Sequence, residues 1–271
     1  MAAVDTTVSR VTRPRFPITE VRWSTVMAPL ALGVLVILGW EMLVDLAEIE
    51  SFILPAPSAI WEQVTANTEN IVDGATVTGR NALIGMLTGA VLGVLGAAIA
   101  GSFRFTDQMA APVVAALAVI PIVALAPVLY SMFGAAVNTA RIIVAGISVM
   151  IPVYLNTLRG IRQVRAVHRD LMTAYAAGPF QVIRAVTLPT ATPYVFTGLR
   201  VASSLAVIAA LIAEYFGGPI GGLGKSITSS AASSNYPLAW AYVLGSIVLG
   251  LLFYVATLLV ELWFSRHHKP A

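Results

Sequence analysis

The chain has 271 residues, of which 58% are hydrophobic and only 11% are charged, whereas soluble domains average roughly 25% charged residues. Several apolar runs approach the length of about 20 residues that a helix needs to cross a bilayer. This composition excludes a soluble domain and predicts an all-α, polytopic membrane protein. Because the chain contains no cysteine, disulfides and thiolate metal sites are excluded as well.

Six apolar runs predict six transmembrane helices, between a polar N-terminal segment (1–23) and a short tail (265–271). The first run is too long for a signal-peptide core, and no small-residue cleavage site follows it, so we interpret it as an uncleaved span. The spans are expected at about 24–44, 81–101, 109–133, 139–158, 194–216 and 238–264.

The distribution of basic residues predicts the orientation of these spans. An even number of spans places both termini on one side, and Lys and Arg concentrate on the cytoplasmic side of membrane proteins. Most basic residues fall on the side of the termini, whereas Arg80, Arg141 and Lys225 are expected on the other. Both termini are therefore predicted to be cytoplasmic. The surplus of positive charge is then a topology signal, and we do not expect nucleic acid as a partner.

Local patterns refine three of the elements. Residues 59–66 are expected to form a short outer helix with Ser58 as its N-cap. The second span carries glycines four residues apart, which permit close approach of two membrane helices. The third span is expected to be bent, because each of its prolines removes a backbone hydrogen bond. The glycines are Gly85, Gly89 and Gly93, and the prolines are Pro112, Pro121 and Pro127.

The sequence contains no motif that indicates an enzyme. The run 217–226 resembles a phosphate-binding loop, but the motif requires a glycine where Pro219 stands. No predicted span contains a histidine, so neither a zinc protease nor a histidine-activated serine nucleophile is indicated at membrane depth. We therefore predict no catalytic residue, no metal site and no enzyme.

Ionisable residues in or beside the spans are few, and such groups are candidates for function because burying a charge in hydrocarbon is costly. Glu41 and Glu261 lie near span ends and are interpreted as structural. Three further residues are candidates for lining a substrate path: Glu214, Arg200 and Asn156.

Each of these candidates has a structural alternative. Glu214 precedes the glycine-rich outer loop, where it would line the outer mouth or pair with Lys225 or Arg141. Arg200 lies a turn or two inside its span and would instead anchor a helix. Asn156 would instead satisfy neighbouring backbone groups.

The segment 165–189 is a polar-edged island between apolar runs. Leu171, Met172 and Tyr175 recur at helical spacing, and a second helical piece is expected to begin at Pro179 and to end at Leu188–Pro189. Such an amphipathic hairpin outside the bilayer is suited to docking. The alternative is an ordinary helix on the membrane surface.

This segment resembles the cytoplasmic signature of ABC-importer membrane subunits, which reads Glu-Ala-Ala, then Gly, then an apolar residue, any residue, and Leu-Pro. Counting back from Leu188–Pro189 places the apolar residue at Val186, the signature Gly at Ala176 and the Glu-Ala-Ala at 170–172. In that family the segment is the coupling helix, which seats in a groove of the ATPase. The resemblance implies coupling roles for Asp170, Leu171, Tyr175, Ala176, Gly178, Phe180, Leu188 and Pro189.

The resemblance extends along most of the chain. It rests on the proline-rich entry 54–58, the proline-broken third span, the run 188–202 and the pairing of 213–217 with 222–224. Together these look like permeases of the nitrate/sulfonate/taurine type, a family that also includes thiamine-pyrimidine-precursor and riboflavin permeases. The run 206–210 resembles the vitamin-precursor branch of that family more than the others.

The resemblance implies a type I ABC-importer permease with six helices in the bacterial cytoplasmic membrane. Its expected partners are ABC ATPase subunits, a second permease (identical or different) and an extracytoplasmic substrate-binding protein, with ATP and Mg on the ATPase and no cofactor on this chain. The expected solute is small and polar or anionic: a sulfonate, nitrate or a vitamin or pyrimidine precursor.

Two alternatives stay open at this stage. An ion-coupled secondary transporter is disfavoured because the carboxylates avoid the predicted midplane. A non-transporting membrane scaffold would leave the island unexplained.

Overall fold

A computed structural model describes residues 23–217 and 221–267, and all regular structure in these ranges is helical. The predicted cytoplasmic N-terminal segment (apart from Trp23), Pro219 and most of the predicted tail lie outside the described residues. The elements in chain order are α1 (Trp23–Leu46), α2 (Pro57–Ala66), α3 (Thr68–Ser102), α4 (Arg104–Val119), α5 (Ile122–Phe133), α6 (Thr139–Arg162), α7 (Ala166–Ala174), α8 (Pro179–Val182), a π turn (Ile183–Thr187), α9 (Leu188–Phe216), α10 (Leu223–Ala232) and α11 (Tyr236–His267).

Five of the described helical stretches are long and apolar enough to cross a membrane, with α8 and α9 counting as one continuous stretch. A sixth is obtained when α4 and α5, which meet at an angle of 94°, are counted as one broken span. The polytopic all-α fold is thus confirmed. We call residues 165–189 the coupling segment, after the role that the sequence leads us to expect for them. The end of the bundle that bears them is the coupling end, and the other is the opposite end.

The third span breaks at one of its three prolines. Ile120 precedes Pro121 and has an extended backbone (φ −62°, ψ 124°), as steric contact with a following proline ring favours. Pro112 and Pro127 lie inside α4 and α5 without breaking them. As a result α4 packs near the coupling end, against Tyr154 and its neighbours, whereas α5 packs at the opposite end.

The short helix α2 begins differently from the prediction. Its N-cap is Ala56, with Pro57 in the first helical turn, so the assignment of Ser58 as N-cap was wrong. Proline is favoured there because its missing N–H would have no helical partner. Ser58 instead donates from its backbone N–H (3.0 Å) and its hydroxyl to the Glu41 carboxylate of α1. Glu41 therefore ties α1 to α2, which agrees with a structural role.

Several span boundaries also differ from the prediction, two of them by six residues or more. Helix α3 begins at Thr68 rather than at residue 81, and α9 begins at Leu188 rather than at residue 194. Apolar composition predicts only the part of a helix that lies in hydrocarbon, and both helices continue with polar residues beyond it. The extended portions position functional residues at both ends of the bundle.

Helices α3, α6 and α9 form the centre of the bundle, and small residues let their backbones approach closely. A Cβ atom added to Gly89 would lie 2.2 Å from the Gly146 carbonyl oxygen, and one on Gly85 would lie 2.5 Å from the Ala145 Cβ. A similar Cβ on Gly198 of α9 would lie 3.1 Å from the Val153 Cα. The glycine spacing in α3 thus marks its contact with α6, as small residues do in membrane helices.

Gly89→Ala is expected to destabilise the bundle by about 1–3 kcal/mol, because its methyl group cannot fit against the α6 backbone. The measurement is thermal melting in mild detergent. Gly250→Ala is the matched control, since nothing lies within 4 Å of a Cβ added there. Alanine is the better helix former by about 1 kcal/mol, so the control should melt at or above the parent temperature. A Gly89→Ala variant that melts like the control would contradict the close contact.

Candidate functional site

At the coupling end, residues 165–189 form two short helices, α7 and α8, around a turn. The C-terminus of α7 is closed by two backbone hydrogen bonds, from Ala176 N–H to the Thr173 carbonyl (2.9 Å) and from Ala177 N–H to the Met172 carbonyl (3.0 Å). This pair of bonds defines a Schellman motif, in which the residue after the cap is left-handed.

That left-handed residue is Ala176, at φ 51°. Glycine is favoured at this position because it has no Cβ to clash in the left-handed region. Ala176 is the residue onto which the signature glycine falls when counted back from Leu188–Pro189. The helix cap therefore gives a physical reason for a glycine in the signature, and the alanine here bears backbone strain.

The second helix starts at Pro179, as the sequence predicts. Gly178 is its N-cap, with extended backbone, and the Gln181 side-chain oxygen accepts a hydrogen bond from the Gly178 N–H at 2.8 Å. Gln181 thereby satisfies a backbone donor at the start of the helix.

The two helices present large apolar side chains to the outside. Leu171 is 53% exposed, Tyr175 75% and Phe180 73%, and Asp170 is exposed beside them. Leu171 and Tyr175 lie one turn apart and so on the same side of α7. Leu171, Tyr175 and Phe180, here called the exposed apolar face, are the part of the segment suited to contact another protein.

The prediction that the second helical piece ends at Leu188–Pro189 was wrong. Leu188 N–H donates to the Ile183 carbonyl five residues back, closing a π turn, and the chain continues without a break into α9. Pro189 falls in the first turn of α9, and the wider turn before it accommodates the missing N–H and the proline ring. The coupling segment is therefore continuous with the fifth span, as one helical stretch from Pro179 to Phe216.

An ion pair lies just before the N-terminal end of the segment. Arg162, the last residue of α6, pairs with Asp107 in the first turn of α4. Both side chains are partly exposed, so the pair contributes little to stability. Its position orients the end of α6 four residues before α7 begins.

At the opposite end, Glu214 is fully buried near the C-terminus of α9. Its Oε2 atom accepts hydrogen bonds from the Thr78 hydroxyl (2.9 Å) and from the Gly224 N–H (2.9 Å). The Thr78 oxygen in turn accepts one from the Leu223 N–H (2.9 Å). Glu214 and Thr78 thus satisfy the first donors of α10 and hold it against α3 and α9.

Arg141 is also fully buried in this region. It donates to the Tyr130 hydroxyl (3.1 Å), to the Asn138 side chain (3.3 Å) and to the Gly221 carbonyl (3.0 Å). Tyr130 donates onward to the Ala213 carbonyl (3.1 Å). The two groups of hydrogen bonds together are called the outer polar network.

The outer polar network brings Glu214 and Arg141 into one cluster. Tyr130 accepts a hydrogen bond from Arg141 and donates one to the carbonyl of Ala213, the residue before Glu214. In the part of the chain that the structure describes, no ion pair joins Glu214 to Lys225.

Glycines around Glu214 explain the motif Gly222–Leu–Gly224. A Cβ on Gly222 would lie 2.5 Å from the Glu214 carboxyl carbon, and Gly222 has φ 146°, where other residues are strained. A Cβ on Gly224 would lie 2.5 Å from the Leu211 carbonyl oxygen. Gly222 and Gly224 therefore pack on a carboxylate of their own chain, which is incompatible with a phosphate-binding loop.

The other two path candidates make contacts between and within helices. Arg200 of α9 pairs with Glu261 of α11 at 3.3 Å, and Asn156 donates to the Pro152 carbonyl of its own helix at 2.8 Å. Asn156 lies beside Gly198, near Arg200, whereas Glu214 lies farther along α9, roughly 20 Å from Arg200 at the rise of an α-helix. The structure adds Thr78, Tyr130 and Asn138 to the candidate site, which the sequence does not single out because a threonine, a tyrosine and an asparagine at span ends are common.

Thr78→Val should destabilise the protein by about 1–3 kcal/mol, because it leaves the buried Leu223 N–H without an acceptor and removes one donor from Glu214. Thr76→Val is the matched control. Its hydroxyl is exposed and bonds only to the Val72 carbonyl of its own helix, so the change should stay within about 0.5 kcal/mol. Both are measured as melting temperatures in detergent, and equal values would contradict the network.

Glycine substitutions test the left-handed cap. Ala176→Gly should slow hydrogen exchange in residues 171–180, since it relieves about 1 kcal/mol of backbone strain. Ala174→Gly, two residues earlier inside α7, should speed exchange, because glycine costs a helix interior about 1 kcal/mol. Faster exchange in both variants would argue against the Schellman motif.

Comparison with known proteins identifies the class of this bundle. The family model described as "Binding-protein-dependent transport system inner membrane component" matches residues 82–266. A probable ABC transporter permease protein of Haemophilus influenzae is 29% identical over 83% of this chain and 91% of its own length. The riboflavin transport system permease protein RibX of Chloroflexus aurantiacus is 28% identical over 94% of both chains.

Other matching relatives are named for aliphatic sulfonates, nitrate and formylaminopyrimidine. A crystal structure of an amino acid ABC transporter shares the fold, with a TM-score of 0.58 at 16% identity over 75% of this chain and 96% of that one. The chain therefore belongs to the family of binding-protein-dependent transport system inner membrane components, as a multi-pass permease of the ABC-importer class and not an enzyme.

Proposed function

We propose that this chain is the permease of an ATP-driven importer and that it receives the movement of a separate ATPase through residues 165–189. The exposed apolar face, on a helical stretch that runs directly into α9, carries the proposal. In water, such a face is stabilised by contact with a partner. Asp170 and Ala176 lie beside it in the same segment.

The continuity of the segment supports a mechanical role. Displacement of α8 acts on α9 through a helix rather than through a loop, and α9 packs closely on α6 at Gly198. Packed helices move as rigid bodies between discrete arrangements. Closure of the ATPases would in this way change the access of a path between permease subunits, with ATP and Mg bound by the ATPase. Leu188 and Pro189 then lie at the junction rather than at a helix end.

The outer polar network supports a second role, the docking of a binding protein at the opposite end. It holds α10 and the glycine-rich run on the ends of α3, α6 and α9, which gives an extracytoplasmic binding protein a fixed surface. Both termini are then cytoplasmic. Within this proposal Glu214 positions the outer loop, Arg200 fixes α9 against α11, and Asn156 satisfies the backbone of α6.

The proposed solute is small and polar or anionic, such as a sulfonate, nitrate or a vitamin or pyrimidine precursor. The names of the relatives support this range, since they include riboflavin, aliphatic sulfonates, nitrate and formylaminopyrimidine.

Phe180→Glu is expected to release the ATPase. Removing a central aromatic contact typically costs about 2 kcal/mol, or roughly a 30-fold weaker complex, and the added charge opposes docking further. The measurement is copurification of the ATPase with a tagged chain in mild detergent, together with ATP-dependent uptake. Tyr175→Glu should act in the same way.

Phe105→Glu is the matched control, because Phe105 is also 73% exposed but lies on α4. Retention of the ATPase by Phe180→Glu and Tyr175→Glu would contradict the docking role. Uptake that persists without ATP and collapses with an ion gradient would instead indicate an ion-coupled transporter.

A further inference from the structure

The π turn Ile183–Thr187 lies where the coupling segment joins α9. We propose that this turn is a two-position joint, which changes between π and α hydrogen bonding as the coupling segment moves. The inference rests on the proposed function, since the movement comes from the ATPase. It adds that the coupling segment reorients relative to α9 in a discrete step rather than by elastic bending, while α9 stays packed on α6.

Helix geometry sets the size of that step. The hydrogen bond from the Leu188 N–H to the Ile183 carbonyl spans one residue more than an α-helical bond does. A change of register by one residue rotates one side of a helix by about 100° and shifts it by about 1.5 Å relative to the other. Such turns occur frequently at functional sites.

A cavity beside the turn provides room for the change. It measures about 140 Å³ and is lined by Ile183, Thr187 and Leu188 on one side and by Thr157 and Ile161 of α6, with residues of α3, on the other. It is partly open to the outside, since Ile183 and Leu188 are exposed. Because the cavity borders the turn itself, side chains of the turn can repack without displacing α6.

A buried hydroxyl group favours the second position of the joint, the one with α-helical hydrogen bonding. Thr157 is 2% exposed, and its Oγ1 atom has no hydrogen-bond partner among the residues that the structure describes. An unpaired buried hydroxyl is unfavourable. Rotation of the Thr187 hydroxyl into the cavity would supply a partner for Thr157.

Tight packing beyond the turn confines the change to the joint. A Cβ on Gly160 of α6 would lie 2.7 Å from the Tyr194 Cβ and 3.0 Å from the Ala191 Cα. Helix α9 is therefore held on α6 from Ala191 onward. A change of register reorients the coupling segment relative to α9 and leaves this contact intact, which makes the joint bistable.

Thiol reactivity tests the joint, because the chain has no cysteine of its own. Thr187→Cys is prepared in the reconstituted complex with its ATPase, and its reaction with a small methanethiosulfonate is followed by mass spectrometry of the peptide. A thiol remains a weak hydrogen-bond partner for the Thr157 hydroxyl. With ATP and vanadate the reaction should slow about tenfold, as the population shifts to the second position. Thr192→Cys, which lines the same cavity from α9 beyond the turn, should react at an unchanged rate.

Two further variants, each combined with Thr187→Cys, test whether Thr157 and the extra residue of the turn cause this protection. Thr157→Val keeps the shape of the side chain but removes the hydroxyl, and it should abolish most of the nucleotide-dependent protection of the thiol at position 187. Deletion of Ala185 removes the extra residue of the turn, so the same thiol should be protected even without nucleotide. If the deletion variant fails to assemble, Thr157→Val carries the test.

The outcomes separate the joint from the coupling role. An unchanged rate for Thr187→Cys in a complex that binds its ATPase and hydrolyses ATP would overturn the joint and leave the proposed function standing. Equal protection of the thiols introduced at positions 187 and 192 would also overturn it, because the change would then extend beyond the turn. A chain that binds no ATPase would overturn both.

Discussion

Every backbone polar group inside a bilayer needs a partner within the protein, and this requirement shapes the whole bundle. The α3–α6–α9 centre meets it because the backbone groups bond within each helix, and the three helices then approach closely at Gly85, Gly89 and Gly198. Small residues there let three helices meet without side chains between them. Since hydrocarbon gives helices no hydrophobic reason to associate, this close contact is what stabilises the bundle.

The same requirement explains how charged residues are accommodated at the opposite end. Glu214 and Arg141 are both fully buried, and each is surrounded by backbone and side-chain partners from several elements. Their hydrogen bonds close the start of α10 and hold Gly221 and Gly224 in place. Glu214, which the sequence marks as a candidate for lining a substrate path, also accepts a hydrogen bond at the start of α10.

The coupling end is built differently. Its helices are short, exposed and capped locally, with apolar side chains such as Phe180 directed away from the bundle. The rigid centre and the exposed segment meet at the π turn, beside the 140 Å³ cavity. Close packing on one side of the turn and free volume on the other make this junction the place where we propose that the coupling segment changes position.

Local sequence patterns were sufficient for the all-α membrane class, the two helices of the coupling segment and the α3 glycine contact, because apolar periodicity and small-residue spacing are local signals. They misplaced the N-cap of α2 and the end of α8, since Ser58 and Leu188–Pro189 look like helix boundaries when read alone. The folded chain corrected both, through the Glu41 contact and the π turn. The Thr78 partner of Glu214 likewise lies more than a hundred positions away along the chain, so the pairing arises only when α3 and α9 pack together.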